Sequence, residues 1–477
     1  MKPQILFSLV GLILIVQCKG PAAETREFDA ISRVDSGVPS AVMLTAYSTT
    51  LLANGTDQTR LRIAVTDSLG REITSAGDSI RLVVTGDAIV KVAEGESLSS
   101  GKDTTEHIYY DFRLEHGVAN LLLVAGTQPG RVKVEARSGK LWPGSHEIHT
   151  LPAGFELMKP TPEQITPATR PVDRMIGADI SFLPQLEDRG LHFFDNGEEK
   201  DVMELLRDHG FNYIRLRIFV NPENVGGYAP GTGYCGLPHT LEMAKRINQA
   251  GMKLFLDFHY SDYWADPQQQ NKPLAWAKLD VETLKDSVKA YTTRILLALK
   301  DQGTLPAMVQ IGNEINHGIL WPEGHISHPD QLAGLLMAGV EGVRAVDPNI
   351  PVMMHLALGG QHDEAVFWLD NMIARGLQFD VIGLSYYPRW HGTLEDLQMN
   401  LRDLAGRYQK PVNVAEYSNF KKEVHEIVFA LPGDMGKGAC IWEPLSWHSD
   451  LFTKEGKATE VILVYDDLNK RYLNETE

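Results

Sequence analysis

The sequence predicts an α/β chain built on a closed (β/α)8 barrel (a TIM barrel), preceded by a smaller all-β sandwich of immunoglobulin type. Three observations carry this. Eight short apolar runs of strand type recur through the second part of the 477-residue chain with helical stretches between them. The first part shows period-two alternation punctuated by turn residues, and a proline-rich segment separates the two. An open doubly wound sheet is the alternative for the second part.

From residue 39 to 151 the texture is all-β. Leu61, Ile63 and Val65 alternate with Arg60, Arg62 and Thr66, and Val132, Val134 and Ala136 alternate with charged neighbours. Such alternation marks half-buried antiparallel strands, and Asp67-Ser-Leu-Gly70 and Gln128-Pro-Gly130 read as turns between them. With few aromatic residues (Tyr47, Tyr109, Tyr110, Trp142), the module reads as a spacer or scaffold more than a sugar-binding surface. Residues 152–172 hold five prolines, at 152, 160, 162, 167 and 171, and read as a stiff linker.

The barrel then occupies residues 173–477. Its strand-type runs are Met175 to Ser181, Tyr213 to Val220, Met252 to His259, Met308 to Glu314, Pro351 to Ala357, Val381 to Tyr387, Pro411 to Glu416 and Gly438 to Glu443. Between them, Leu284, Val288, Tyr291, Ile295 and Leu299 form one apolar helical stripe suited to a barrel wall. Gly251 reads as a helix C-cap before the third run.

The N-terminus has the charged start Met1-Lys2, a short apolar core from Ile5 to Val16, and then Cys18. This pattern reads as a secretory signal, too short for a lasting membrane span. Ile15-Val16-Gln17-Cys18 resembles a bacterial lipobox, so residues 1–17 are expected to be removed and Cys18 to be lipidated. Residues 18–38 would serve as a tether. The expectation is a monomer secreted across the inner membrane and held as an outer-membrane or cell-surface lipoprotein. Cys235 and Cys440 are then expected as buried free thiols. The sequons Asn54-Gly-Thr56 and Asn474-Glu-Thr476 carry no expectation of glycosylation in such a protein.

A net charge of -17 disfavours nucleic acid, anionic membrane surfaces and polyanionic substrates; a neutral polymer is compatible with it. Gly231-Thr-Gly233-Tyr-Cys-Gly236 fits a dinucleotide fingerprint on paper, but its surroundings read as a loop after the second strand. Zinc-protease, nucleophile-elbow and phosphate-loop motifs do not occur in the sequence.

In a barrel the polar residues at the C-terminal strand ends meet at one mouth. Here those ends carry Asp179, Arg215 and Arg217, Asp257 and His259, Asn313 and Glu314, Tyr386 and Tyr387, Glu416, and Trp442 and Glu443. Glu314 and Glu416 each close an apolar run, and charge at the ends of two buried strands is costly without purpose. Paired carboxylates in such positions are the apparatus for cleaving a glycosidic bond.

The motifs go further. Gly177-Ala-Asp-Ile-Ser181, Asp257-Phe-His-Tyr-Ser-Asp-Tyr-Trp-Ala-Asp-Pro267, Gln310-Ile-Gly-Asn-Glu-Ile315 with Trp321-Pro-Glu-Gly324, Gly383-Leu-Ser-Tyr-Tyr-Pro388 with Trp390-His-Gly392, and Trp442-Glu-Pro444 together resemble family 53 of the glycoside hydrolases, the endo-β-1,4-galactanases. That resemblance implies a retaining arabinogalactan endo-β-1,4-galactanase acting on the galactan side chains of pectin. Glu314 would be the acid/base and Glu416 the nucleophile, with Asn313 on the sugar 2-hydroxyl. It further implies that Asp179, Arg217, His259, Asp262 and Tyr387 line the floor of the site, and that Trp264, Trp390 with His391, and Trp442 contact sugar. Asp266 and Trp276 would shape the cleft. Bacterial members of the family often hold calcium in the seventh or eighth loop; those loops are short here, so neither a metal nor another cofactor is expected. The alternatives are a related retaining barrel acting on another β-1,4-glycan such as mannan, and a non-catalytic surface glycan-binding protein.

Overall fold

The computed structural model describes residues 31–92, 98–102, 107–445 and 450–474. The signal segment, Cys18 and the end of the Asn474 sequon lie outside them. The apolar runs become β1 (Met175–Asp179), β2 (Tyr213–Ile218), β3 (Lys253–Phe258), β4 (Met308–Ile311), β5 (Val352–Leu356), β6 (Val381–Tyr386), β7 (Val412–Tyr417) and β8 (Gly436–Trp442). They pair in this order into a closed barrel. Closure runs through the parallel pairing of β1 with β8, from Met175↔Gly438 to Asp179↔Trp442.

The barrel interior is layered. Met175, Tyr213, Phe255, Met308, Met353, Val381, Ala415 and Cys440, one side chain from each strand, form a buried apolar plug. Further along the same strands the inward positions become polar: Arg215, Asp257, Gln310, His355, Ser385 and Glu416, all buried. The plug fills the lumen and seals it, so substrate can approach only from the polar end. Outside, the helix Val281–Asp301 turns Leu284, Val288, Tyr291, Ile295 and Leu299 onto the wall, with Asp280 capping it through Thr283 N.

Ahead of the barrel, two six-stranded sheets share one apolar core, in which Leu61, Ile63 and Leu121 of one sheet meet Leu82, Val134 and Ile148 of the other. Val132, Val134 and Ala136 are buried while Arg131, Lys133 and Arg137 are exposed, as the alternation requires. Tyr110 faces this core and accepts the Val90 amide at its hydroxyl, and Arg81 covers Tyr109. Neither ring is presented as a sugar platform.

The sandwich is docked on the barrel. Glu364, buried in the helix His362–Ala374, accepts the backbone amides of Thr49 and Thr50 (2.9 Å each) and the Thr50 hydroxyl (2.6 Å). Tyr47 donates to Asp396 (3.0 Å), and Leu151 belongs to the barrel's own apolar cluster. Three imidazoles gather at the seam: His149 stacks on His317 at 3.8 Å and lies 2.8 Å from His325. The proline-rich segment is strapped to the barrel surface, with Gln164 donating to Ala374 O (3.0 Å), Thr166 to Gln378 (2.6 Å), and Arg170 pairing with Asp380 (2.9 Å). A stalk holding two independent bodies apart would leave these groups in water.

Candidate active site

The chain leaves β4 through Gly312 (φ 79°) and Glu314 (φ 50°), both left-handed. A Cβ at Gly312 would stand 2.6 Å from Ile315 Cγ2, so only glycine fits both the angle and the space. Holding Glu314 in this region costs energy that the surrounding packing must offset, a pattern found at functional sites. Across the mouth, Glu416 occupies the penultimate position of β7, next to a register irregularity between β6 and β7.

Arg215 organises the polar layer. Its Nη1 donates to Glu416 Oε1 (2.8 Å) and Asp179 Oδ2 (2.9 Å), and its Nη2 to Asp257 Oδ2 (2.8 Å), Gln310 Oε1 (3.0 Å) and Asn313 Oδ1 (3.0 Å). One buried cation thus faces three carboxylates, and the rigid guanidinium fork fixes their relative positions. Tyr387 OH donates to the other oxygen of Glu416 (3.0 Å). Burial together with both glutamates keeps this phenol protonated, well above its ordinary range.

The two glutamates are therefore inequivalent. Burial raises both carboxyls, and the charge of Glu416 raises Glu314 further, well above the ordinary carboxyl range. Arg215 and Tyr387 aim at Glu416 the donors that an anion needs, whereas among the described residues Glu314 has only Ser385 Oγ (2.7 Å). The shared proton accordingly rests on Glu314.

Behind Glu314 lies a relay. Ser385 Oγ is 2.9 Å from His355 Nε2, and His355 Nδ1 is 2.9 Å from Asn313 Oδ1. Asn313 Nδ2 donates to Ala265 O (2.9 Å), so its oxygen faces the imidazole and accepts from Nδ1–H. Burial, with Arg215 beside it, holds His355 neutral, which leaves Nε2 as an acceptor for the Ser385 hydroxyl. When Glu314 carries a proton it can donate to Ser385; when ionised, it accepts from the same hydroxyl. One hydroxyl rotation follows the proton state of the acid.

Glu314, Glu416, Asn313, Tyr387, Trp264, Trp390, His391 and Trp442 line one cleft of about 450 Å³ together with Asp266. The other expected site residues lie beneath or beside it. Asp179 accepts Arg215 and Ser181 Oγ (2.6 Å). Arg217 pairs with Glu443 and lies between Phe182 and Trp264, 4.4 and 4.3 Å from the ring centres; it props Trp264 from behind. His259 pairs with Asp257 through Nε2 (3.0 Å) and accepts the Ala265 amide at Nδ1 (3.1 Å). Asp262 accepts the amides of Asn221 and Leu274 (2.9 Å each), tying two loops together. His391 Nδ1 accepts the Tyr387 amide (3.1 Å). Trp276 packs on Tyr291 at 5.9 Å and is absent from the cleft wall.

Sequence reasoning placed Arg215, Asp257, Gln310 and Ser385 in motifs or at strand ends but gave them no role, and it passed over His355. The signal for the first two was the period of two: Arg215 with Arg217, and Asp257 with His259, put successive polar groups at one strand end. Gln310, His355 and Ser385 sit singly in apolar runs. Four further cleft residues, Thr49, Ser145, His146 and Glu147, come from the sandwich, and nothing in their local sequence marks them.

Comparison with known proteins agrees with this geometry. Residues 175–425, more than half of the chain, match the model "Glycosyl hydrolase family 53", and residues 42–147 match "Glycoside hydrolase family 2 C-terminal domain 5". The chain is 39% identical over 312 residues to an uncharacterized protein of Niallia circulans, covering 57% of this chain and 83% of that one. It is 36% identical over 268 residues to an arabinogalactan endo-β-1,4-galactanase A of Emericella nidulans, covering 54% and 74%. Among solved structures it resembles the GH53 catalytic domain of Ignisphaera aggregans, with a TM-score of 0.58 and 32% identity over 63% of this chain and 98% of that one.

Proposed function

Because the chain belongs to glycosyl hydrolase family 53, we propose that it is an endo-acting hydrolase of β-1,4-galactosidic bonds in galactan or arabinogalactan. The observation that carries the reading is the inequivalence of two carboxyls in one cleft: Glu416 held by Arg215 and Tyr387, and Glu314 raised by burial and by Glu416. This supports a retaining double displacement. Glu416 attacks the anomeric carbon while Glu314 protonates the departing oxygen, giving a glycosyl-enzyme. Glu314, now ionised, takes a proton from water as that water attacks the same carbon and releases Glu416. Asn313, its oxygen occupied by Arg215 and His355 and one N–H by Ala265 O, has its second N–H left for a sugar hydroxyl.

The neutral substrate suits a cleft whose walls are tryptophan rings, since an aromatic face matches the C–H face of galactose. Purified protein incubated separately with galactan, mannan and xylan tests the substrate. New reducing ends from galactan alone are expected, and equal release from mannan would overturn the assignment. The same proposal places the protein outside the inner membrane on a lipidated Cys18. Membrane retention of Cys18→Ala would remove that anchor from the account.

A further inference from the structure

We propose that the N-terminal sandwich supplies the wall of the leaving-group side of the cleft and binds the sugar units there through Ser145 and Glu147. The inference rests on the retaining roles given to Glu314 and Glu416. Its starting observation is that Thr49, Ser145, His146 and Glu147 line the same cleft as the two glutamates, although the sandwich lies more than a hundred residues upstream in sequence.

Which side they wall follows from their partners. Thr49 Oγ1 lies 3.0 Å from His317 Nε2, three residues beyond Glu314, and His146 Nε2 donates to Trp390 O (3.2 Å), beyond β6. An acid that protonates the departing oxygen stands on the leaving-group side of the scissile bond. The sandwich edge is therefore anchored to the segment that follows the acid.

The wall is rigid and chemically suited to a sugar. Burial holds His317 neutral, well below its ordinary range, and His146 and His149 at about 4 and about 3, so these three imidazoles at the seam carry no charge near neutral pH. Glu147, half-buried, has Arg131 Nη1 and His149 Nε2 each 3.2 Å from Oε1, yet that oxygen makes no hydrogen bond among the described residues. Gln361, fully buried and lining the same cleft, donates Nε2 to Trp390 O (2.9 Å) and leaves Oε1 without a partner among the described residues. Those two oxygens are shielded from solvent, so the groups that meet a saccharide's hydroxyls are the Ser145 hydroxyl and the part-exposed Glu147 carboxylate on the cleft wall.

The test compares two substrates in the full chain: a β-1,4-galactotetraose, whose leaving group is sugar, and an activated aryl β-1,4-galactobioside, whose leaving group is not. For Glu147→Ala and for Ser145→Tyr, the ratio of kcat/KM for the tetraose to that for the aryl substrate should fall about tenfold, the size of one lost contact. Glu147→Gln, of the same shape, serves if the alanine variant does not fold. A ratio unchanged in the folded variants would overturn the proposal. Failure of the galactanase reading shows separately, as a wild-type protein inactive on both galactosides but active on the matching mannosides, and the ratio is then read in that series.

Discussion

Arg215 Nη1 lies 2.8 Å from Glu416 Oε1 and 2.9 Å from Asp179 Oδ2. The same nitrogen that stabilises the Glu416 anion is thus tethered to the neighbouring strand, so the direction from which Glu416 meets a sugar is fixed before substrate arrives. Preorganisation of this kind lowers a barrier because nothing need reorient as charge moves.

Arg215→Leu should therefore damage the fold as well as the chemistry. It leaves Asp179, Asp257 and Glu416 buried without their cation, and removing one partner of a buried ionic group costs about 3–5 kcal/mol. Denaturant midpoints measured beside activity test this; a variant of wild-type stability would show that the carboxylates find another partner or a proton.

Glu416→Ala should abolish turnover on every substrate. Glu314→Ala should spare much of the first step when the leaving group is a good one that needs no proton. The first-formed anomer should be β. An α-anomer, or equal loss in both variants on an activated aryl substrate, would reverse or exclude these roles.

Ser385→Ala probes the relay. The Ser385 hydroxyl lowers the Glu314 carboxyl against the effects of burial and Glu416, so its loss raises that carboxyl further. A general acid works only while protonated, and activity declines as pH rises through its pKa. The alkaline limb of the kcat/KM profile should accordingly move to higher pH, while His355, which loses its hydroxyl partner, stays neutral. A limb that moves to lower pH would exclude this coupling.

How much of this was legible beforehand depends on where each signal lay. The eight runs were readable because strands buried on both faces are continuous in sequence, and each observed strand lies within a few residues of its run. Glu314 and Glu416 were readable because a charge closing such a run has few structural reasons to be there. The roles of His355 and of Ser385, the latter quoted only as part of a motif, were not, since a lone polar residue inside an apolar run gives no hint of which strand it faces. Ser145 and Glu147 were illegible for a different reason: their role arises from docking between domains, and Glu364, the buried carboxyl that secures the docking, looks like any helix-surface glutamate.

Glu364 gives the last prediction. Burial pushes its carboxyl up to about 7, against the hydrogen bonds from Thr50 and Thr49 that lower it. In the unfolded chain it titrates near the ordinary carboxyl value of about 4.3. Between these values the folded protein binds the additional proton, so this group's contribution to stability is present in full below the lower value and is lost as pH rises through about 7. Oε2 accepts the Thr49 and Thr50 amides, and Oε1 accepts the Thr50 hydroxyl while the carboxyl is ionised; once the carboxyl is protonated, that hydroxyl can rotate and accept from it instead. Glutamine reproduces that arrangement, its carbonyl accepting the amides and its NH2 donating to the hydroxyl. Glu364→Gln should therefore hold the domains together and flatten the fall in stability across this window, whereas Glu364→Ala, leaving two buried amides unpaired, should cost about 2–4 kcal/mol at any pH. Thermal unfolding of the three proteins across the window decides it: a Gln variant whose pH dependence matches the wild type would show that Glu364 enters the interface ionised.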